Sequence, residues 1–276
     1  VNMHPRHLVD VNGDGKADIV GFGYAGAYVS LSTGSGFTSP SLWVNQFGYN
    51  AGGWRVDMHP RHLADVDGDG KADIVGFAHD GAYVSLSTGS GFTKPSYWVN
   101  QFGYNYGWRV DMHPRHLVDV NGDGKADVVG FAHDGAYVSL STGSSFTKPS
   151  YWVNQFGPNY GWRVDMHPRH LVDVNGDGKA DIVGFANDGA YVSLSTGSSF
   201  TKPSYWVHQF GYNYGWRVNM HPRHLVDVNG DGKADIVGFA NDGAFVSLST
   251  GSSFTKPSYW VNQFGYNHGW RVNMHP

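Results

Sequence analysis

The chain contains no cysteine and no glutamate. The first absence removes any disulfide framework and any thiol chemistry, while saying little about compartment. The second leaves all 23 acidic positions as aspartate, so a glycosidase-type acid and base would have to come from Asp alone. Charged residues make up 15% of the 276 positions and the formal net charge is -4, which gives no basic footprint for nucleic acid. No apolar run is long enough to span a membrane, so neither membrane insertion nor a signal peptide is expected. The chain opens on Val1, as a trimmed or processed N-terminus would. Localisation, extracellular or cytoplasmic, is left undetermined. Helical periodicity is missing as well, because glycine or proline interrupts every hydrophobic run.

What is present in their place is repetition. Met3-His4-Pro5-Arg6-His7-Leu8 returns at Met58, Met112, Met166 and Met220, and Met274-His275-Pro276 begins a further copy. The starts are separated by 55, 54, 54, 54 and 54 residues, the signature of a repeat architecture in which neighbouring units must stack to build a core. The repeats run approximately over 3–57, 58–111, 112–165, 166–219 and 220–273 of a single domain.

The second repeat shows the plan. Arg61 to Val66 reads as a first strand, Asp67-Gly68-Asp69-Gly70-Lys71 as a glycine-rich turn, and Ala72 to Phe77 as a second strand. Ala78-His79-Asp80-Gly81 is a tight Asp-Gly turn, and Ala82 to Ser87 alternates at period 2 like a half-buried strand. A loop through Pro95 precedes a fourth strand over 97–102, and a polar, aromatic connector follows from Gly103 to Pro114. Four strands per unit, repeated radially, predict an all-β fold, a β-propeller of four-stranded blades, most simply a five-bladed ring. A sandwich or a solenoid fits less well, since solenoid repeats are usually shorter. Part of a larger ring, or chains that complete one another as an oligomer, fits the same pattern.

Every copy carries D-x-[ND]-x-D-G-x-x-D at its first turn. Alternate oxygen side chains on a tight turn converge on one point, and a hard cation takes six to eight oxygens at roughly 2.4 Å. The expected structural calcium sets are Asp10, Asn12, Asp14 and Asp18; Asp65, Asp67, Asp69 and Asp73; Asp119, Asn121, Asp123 and Asp127; Asp173, Asn175, Asp177 and Asp181; and Asp227, Asn229, Asp231 and Asp235. The backbone carbonyls of Lys16, Lys71, Lys125, Lys179 and Lys233 lie between them. The pattern is not an EF-hand, because Gly21 stands where position 12 would need Glu and strands flank the loop. The competing reading is a set of Asx turns closed on their own backbone.

The run Asp-Val-Asn-Gly-Asp-Gly-Lys-Ala-Asp-Ile-Val-Gly-Phe, followed by Gly-Ala-Tyr-Val-Ser-Leu, resembles the FG-GAP/VCBS repeat of integrin-type propellers. With the His-Pro-Arg-His-Leu lead and the Gly-Trp connector, the chain more closely resembles the fungal Psathyrella velutina lectin family, over essentially its whole length. That resemblance implies a six- or seven-bladed propeller binding terminal N-acetylglucosamine, in some members sialic acid, between blades. Five copies depart from this pattern.

In a four-stranded blade the second-to-third turn and the connector lie at the end opposite the aspartate loop. That end gathers His79 and Asp80 with Tyr104, Asn105, Tyr106, Trp108 and Arg109, and, near the next first strand, His113, Arg115 and His116. Flat aromatic faces suit apolar C–H patches of a sugar, while Asp, Asn, Arg and His bond hydroxyls and an acetamido group; a concave apolar pocket with a few polar groups is the general form of a small-ligand site. The corresponding residues later in the chain are His133, Asp134, Asn159, Trp162, Arg163, Arg169 and His170; Asn187, Asp188, Asn213, Trp216, Arg217, Arg223 and His224; and Asn241, Asp242 and Trp270. For Trp98 and its equivalents on an alternating strand, blade core is the expectation. For Trp108, packing and ligand contact stand equal, and Arg115 and His116 fit bracing of the junction as well as sugar contact. The first repeat differs, with Tyr24-Ala25 in the turn and Ala51-Gly52-Gly53 before Trp54, and an altered or empty site is expected there.

These readings converge on a non-enzymatic, multivalent carbohydrate-binding protein whose partners are glycans ending in N-acetylglucosamine or sialic acid. Catalysis is disfavoured: Asp80 with Asp111 is the one conceivable carboxylate pair, and Asp111 becomes Asn219, while the serines of Ser85-Leu86-Ser87 lie on a regular strand without a nucleophile elbow. The alternative is a structural or protein-binding propeller, or an engineered symmetric one, without sugar binding.

Overall fold

A computed structural model describes residues 4–272, and among them the architecture is five four-stranded antiparallel sheets. The first contains β1 (Arg6–Val9), β2 (Asp18–Phe22), β3 (Ala27–Ser30) and β4 (Ser41–Val44); the second β5 (Arg61–Ala64), β6 (Asp73–Phe77), β7 (Ala82–Ser85) and β8 (Ser96–Val99). The third holds β9 (Arg115–Val118), β10 (Asp127–Phe131), β11 (Ala136–Ser139) and β12 (Ser150–Val153). The fourth holds β13 (Arg169–Val172), β14 (Asp181–Phe185), β15 (Ala190–Ser193) and β16 (Ser204–Val207), and the fifth β17 (Arg223–Val226), β18 (Asp235–Phe239), β19 (Ala244–Ser247) and β20 (Ser258–Val261). In each sheet the strands lie in chain order, which makes every sheet a propeller blade, one per sequence repeat. The chain divides into two compact units, one of Val1–Asp119, Asp123–Ala132 and Tyr137–Ser150, the other of Val120–Gly122, His133–Ala136 and Tyr151–Pro276.

The strands are shorter than the apolar patterning suggests. β5 stops at Ala64 because the Asp65 carboxylate accepts N–H groups from Gly68 and Gly70 and turns the chain, and β7 stops at Ser85, beyond which Ser87 makes only an isolated bridge with Phe92. The third-to-fourth pairing carries a β-bulge, between Ala82 and Tyr83 in the second blade, which shifts the register of the outer strand. The connector contains a short 3₁₀ turn, Tyr104–Tyr106, closed by Gly107 in the left-handed conformation at φ 86.

In the second, third and fourth blades the second strand is the most buried element. All five residues of Asp181–Phe185 are buried, and Val183 and Phe185 pack in one cluster with Val192, Trp206 and Phe210. Gly184 on that strand has a packing reason: a Cβ there would lie 2.4 Å from the Trp162 ring and 2.9 Å from Phe156, so only glycine lets the previous connector's aromatic pair lie flat on the sheet.

Consecutive blades within each unit are joined by the same set of contacts. Trp206 on β16 meets Phe254 at 5.2 Å between ring centroids, the Ser249 hydroxyl donates to the Val174 carbonyl at 2.5 Å, and the Ala234 N–H donates to the Asp173 carbonyl at 2.9 Å. Arg223 lies under the blade, its guanidinium 5.2 Å from the Phe185 ring centre, and donates to the Phe210 carbonyl at 2.8 Å. Phe210 holds a φ of 69, unusual for a bulky residue, and Phe47, Phe102, Phe156 and Phe264 repeat it. The buried tryptophans of the fourth strands, Trp98 among them, are therefore core, as the alternation implied.

Candidate functional site

Where a connector meets the next blade's second-to-third turn, a cavity opens. Between the third connector and the fourth blade it measures 410 Å³ and is lined by Tyr160, Trp162, His167, Asn187, Tyr191 and Lys202, among others. The arrangement recurs one repeat later as a cavity of 360 Å³, with Tyr214, Trp216, His221, Asn241, Phe245 and Lys256. It recurs again in the first unit as a cavity of 300 Å³, with Trp54, His59, His79, Asp80 and Tyr83.

The chain builds each wall for a physical reason. Trp162 packs on Phe156 at 4.9 Å and on His167 at 5.8 Å between centroids, and it is only 8% exposed, so the cavity sees an edge of the indole. His167 accepts the Arg163 backbone N–H at Nδ1, which leaves Nε2 as the protonated nitrogen; Nε2 lies 3.0 Å from Asn187 Oδ1 and donates to it. His221 and Asn241 repeat this pair at 2.9 Å, with Nδ1 again accepting from Arg217. The asparagine's NH₂ group is then left to donate elsewhere. On the other wall the Tyr191 hydroxyl donates to Asp188 at 3.0 Å, as Tyr83 does to Asp80. Burial and hydrogen bonding to this carboxylate raise the Tyr191 pKa.

The first cavity departs in two ways. His79 replaces the asparagine, and its ring meets His59 edge-on at 4.4 Å. Burial, followed by the charges of His79 and Arg61, lowers the His59 pKa to about 4, so His59 is neutral at physiological pH. Gly52 lines this cavity where Tyr160 and Tyr214 line the others, and the space is the smallest of the three.

Of the residues singled out in sequence, His79, Asp80, Trp162, Asn187, Asp188, Trp216 and Asn241 line these cavities. Asp242 instead accepts the Asn267 side-chain amide at 2.7 Å, since Phe245 has no hydroxyl to offer it. Trp108 is buried against Phe102 and Gly130, and the His133 and Asp134 carbonyls accept from the Asn159 N–H and the Tyr151 hydroxyl. Asn105 and Asn213 tie their connectors to the turns through N–H bonds to the His79 and Asn187 carbonyls. Arg109 and Arg217 stack on Tyr104 and Tyr212 at 3.6 Å, and Arg163 pairs with Asp165.

Arg115, Arg169 and Arg223 line none of these cavities; they are buried and bonded to the carbonyls of Phe102, Phe156 and Phe210, because the strand places them in the blade junction. His116, His170 and His224 pack on Phe131, Phe185 and Phe239 at 5.8, 5.8 and 5.9 Å and line none of these three cavities, although His224 lines another at the fifth blade. Trp270 lines a different cavity, at the fifth blade. His167 and His221 are the equivalents of His113, which the sequence placed at this end of the blade, whereas Lys202 with Pro203 was missed. The histidine belongs to the Met-His-Pro motif and carried a signal in its recurrence; the Lys-Pro loop comes from the third-to-fourth connection and is brought in by the fold alone.

The aspartate loops lie at the opposite end of each blade. Carboxylate oxygens of Asp65, Asp67 and Asp73 lie within 4.8 Å of one another, a spacing that suits a hard cation. Asp73 is fully buried and accepts the Val66 and Ser87 N–H groups, while Asp65 accepts from Gly68 and Gly70. Asp65 Oδ1 accepts the Asp69 N–H as well, at 3.2 Å, whereas Asp65 Oδ2 and the two Asp73 oxygens accept one N–H each and keep a second lone pair. Asp69 turns to Lys71 at 2.5 Å, as Asp14 does to Lys16 at 2.7 Å. In the first loop the Asp10 carboxylate likewise accepts the N–H groups of Asn12, Gly13 and Gly15, so both features of the two competing readings, oxygen convergence and Asx turns, occur together.

Comparison with known proteins gives a consistent picture. The family described as FG-GAP-like repeat matches residues 10–75 and 173–238. No curated protein sequence matches the chain. Among solved structures, an Agrocybe aegerita lectin described as specifically recognising non-reducing terminal N-acetylglucosamine is 39% identical, with a TM-score of 0.94 over 99% of this chain and 70% of its own. A Photorhabdus luminescens Tc holotoxin pore structure matches 93% of this chain and 12% of its own at 14% identity and a TM-score of 0.62, which speaks for the fold alone.

Proposed function

Since the chain belongs to the family of β-propeller lectins built on FG-GAP-like repeats, we propose that it is a non-enzymatic lectin that holds terminal N-acetylglucosamine in the cavities between connector and blade. The observation that carries this reading is the recurrence of one cavity plan: an indole edge and a histidine in all three, with a His–Asn pair whose amide is left to donate at the fourth and fifth blades and an aspartate braced by tyrosine at the second and fourth. The Asn187 NH₂ group bonds the acetamido carbonyl, Asp188 accepts a ring hydroxyl, and the indole edge with Ala186 meets the acetamido methyl. Lys202 and Lys256 at the rim support sialic acid as a further ligand, because its carboxylate needs a cation. Several cavities on one chain support multivalent capture, where effective concentration multiplies weak single-site affinities.

Calcium completes the reading as a structural ion. Asp65, Asp67 and Asp73 would hold it, with the equivalent aspartates and asparagines in the other copies, and it would neutralise clustered carboxylates at the first turn. Titration calorimetry of the calcium-loaded protein with N-acetylglucosamine, its sialylated counterparts and glucose tests the lectin reading. Saturable binding of N-acetylglucosamine, absent for glucose, is expected; no heat for any acetamido sugar from folded protein overturns it.

A further inference from the structure

We propose that the sugar cavities continue outward onto an aromatic shelf formed by the third and fourth strands of each blade. On the lectin reading of the cavities, on which this proposal rests, the ligand is an oligosaccharide whose terminal sugar fills a cavity while the following sugars stack on the shelf. In the second blade Tyr83, which lines the cavity, meets Tyr97 of β8 at 5.1 Å between ring centroids, and the Tyr97 hydroxyl donates to the Asp80 carbonyl at 2.9 Å. Tyr97 is 46% exposed, as is Tyr106 in the following connector. The fourth blade repeats the plan: Tyr191 lines the cavity, and Tyr205 of β16 lies 5.1 Å from it and donates to the Asp188 carbonyl at 2.8 Å. Partial burial, followed by the charges of Asp188, Tyr214 and Tyr191, raises the Tyr205 pKa to about 12, so its phenol stays a neutral donor. Tyr214, one of those groups, is 49% exposed and lines the next cavity. In the fifth blade Phe245 lines the cavity, with Tyr259 at 5.1 Å. Tyr151 and Tyr259 make the same bond to the carbonyls of Asp134 and Asp242, at 2.8 and 3.1 Å.

Asp80 and Asp188 line the cavities themselves, so each of these shelves starts at a cavity rim. A hydroxyl pinned to the turn fixes the ring while leaving much of it to solvent, and a fixed ring loses little freedom when a ligand covers it. The face of an aromatic ring is electron-rich and attracts the weakly positive C–H groups of a pyranose, whose hydroxyls meet the polar groups alongside. His208 extends the fourth-blade shelf, its ring 4.6 Å from Tyr205, where the second, third and fifth copies carry Asn100, Asn154 and Asn262. Strand pairing does not require the aromatic ring. The first blade carries Leu42 opposite Tyr28, in the register that Tyr97 and Tyr205 hold opposite Tyr83 and Tyr191, and forms the same four strands. Exposed apolar side chains grouped beside a cavity mark a binding surface, and continuity with the cavity assigns this one to the rest of the same sugar chain.

Titration calorimetry with N-acetylglucosamine, chitobiose and chitotriose tests this. The affinity of the wild-type chain is expected to rise about tenfold from the single sugar to the trimer. Tyr97→Leu, Tyr151→Leu, Tyr205→Leu and Tyr259→Leu together, each copying Leu42, are expected to abolish that rise and leave the affinity for the single sugar unchanged. Phenylalanine at the same four positions keeps the rings and is expected to keep the rise. Equal affinity of the wild type for one sugar and for three overturns the shelf while leaving the lectin reading, and binding of neither overturns both. A folded leucine variant that keeps the rise, or a folded phenylalanine variant that loses it, also overturns the shelf. If the fourfold leucine variant fails to fold by circular dichroism, Tyr97→Leu with Tyr205→Leu carries the same measurement, with fewer tight sites for the trimer expected and an unchanged number overturning the proposal.

Discussion

His167 donates from Nε2 to Asn187 Oδ1 across 3.0 Å, and this bond joins the Met-His-Pro lead of one blade to the second turn of the same blade. The backbone N–H of Arg163 occupies the other ring nitrogen, so the imidazole is a fixed neutral tautomer and the amide orientation follows from it.

Asn187→Leu is expected to remove sugar from one cavity without unfolding the chain, because Asn187 lies in a turn at the cavity rim. Asn187→Leu with Asn241→Leu is expected to lower the calorimetric stoichiometry by two sites, each weakened about tenfold or more as one or two hydrogen bonds are lost. Unchanged stoichiometry would place the sugar elsewhere.

Gly184→Ala should be costly although alanine favours strands more than glycine does. The new methyl meets the Trp162 ring at 2.4 Å, and overpacking of this kind costs about 1–3 kcal/mol. A lower melting temperature with weakened sugar binding is expected, since the same indole forms the cavity wall. Gly178→Ala, with nothing within 4 Å of the added Cβ but a φ of 82, is expected to show backbone strain alone and leave binding intact.

Acid should destabilise the fold through its buried imidazoles. Burial, then the charges of Arg223 and His224, lowers the His170 pKa from 6.5 to about 4. The unfolded chain therefore binds the extra proton first, so the stabilising contribution is complete above pH 6.5 and is lost as pH falls toward about 4. His170→Leu removes that loss, and its melting temperature should fall less than wild type on acidification. Taking the difference between the two proteins separates this effect from Asp73 and Asp181, whose pKa is raised to about 7 chiefly by burial and which act in the opposite sense.

Chelation supplies the test of the calcium proposal. Saturating calcium, at a hundredfold excess over its dissociation constant, adds about 2.7 kcal/mol per site to an ion-binding native state. Melting scans in calcium and in chelator should differ by several degrees, and Asp67→Ala should shrink that difference without abolishing it while other loops remain. Identical scans would leave the loops as Asx turns.

The repeat itself determined the blade count and the strand order. A period of 54 residues with four alternating segments and glycine turns has few solutions, and local turn chemistry such as Asp-Gly at 80–81 fixes hairpins without reference to distant residues. Asp80, Asn187 and Trp216 were legible as candidates because polar and aromatic side chains gather on one turn and one connector, although packing explained the tryptophan equally well. The exclusion of Arg115 and His116 from the cavity was not legible: their strand carries no mark of which face the next blade covers. Lys202 was equally silent, since it reaches the cavity from a third segment of the chain. The unequal exposure of Trp206 and Trp260, each within the same Lys-Pro-Ser-Tyr-Trp-Val run, shows the same limit. Local sequence determines a side chain's chemistry and its strand, but its burial depends on what packs against it, and that is settled only when the blades are assembled in three dimensions.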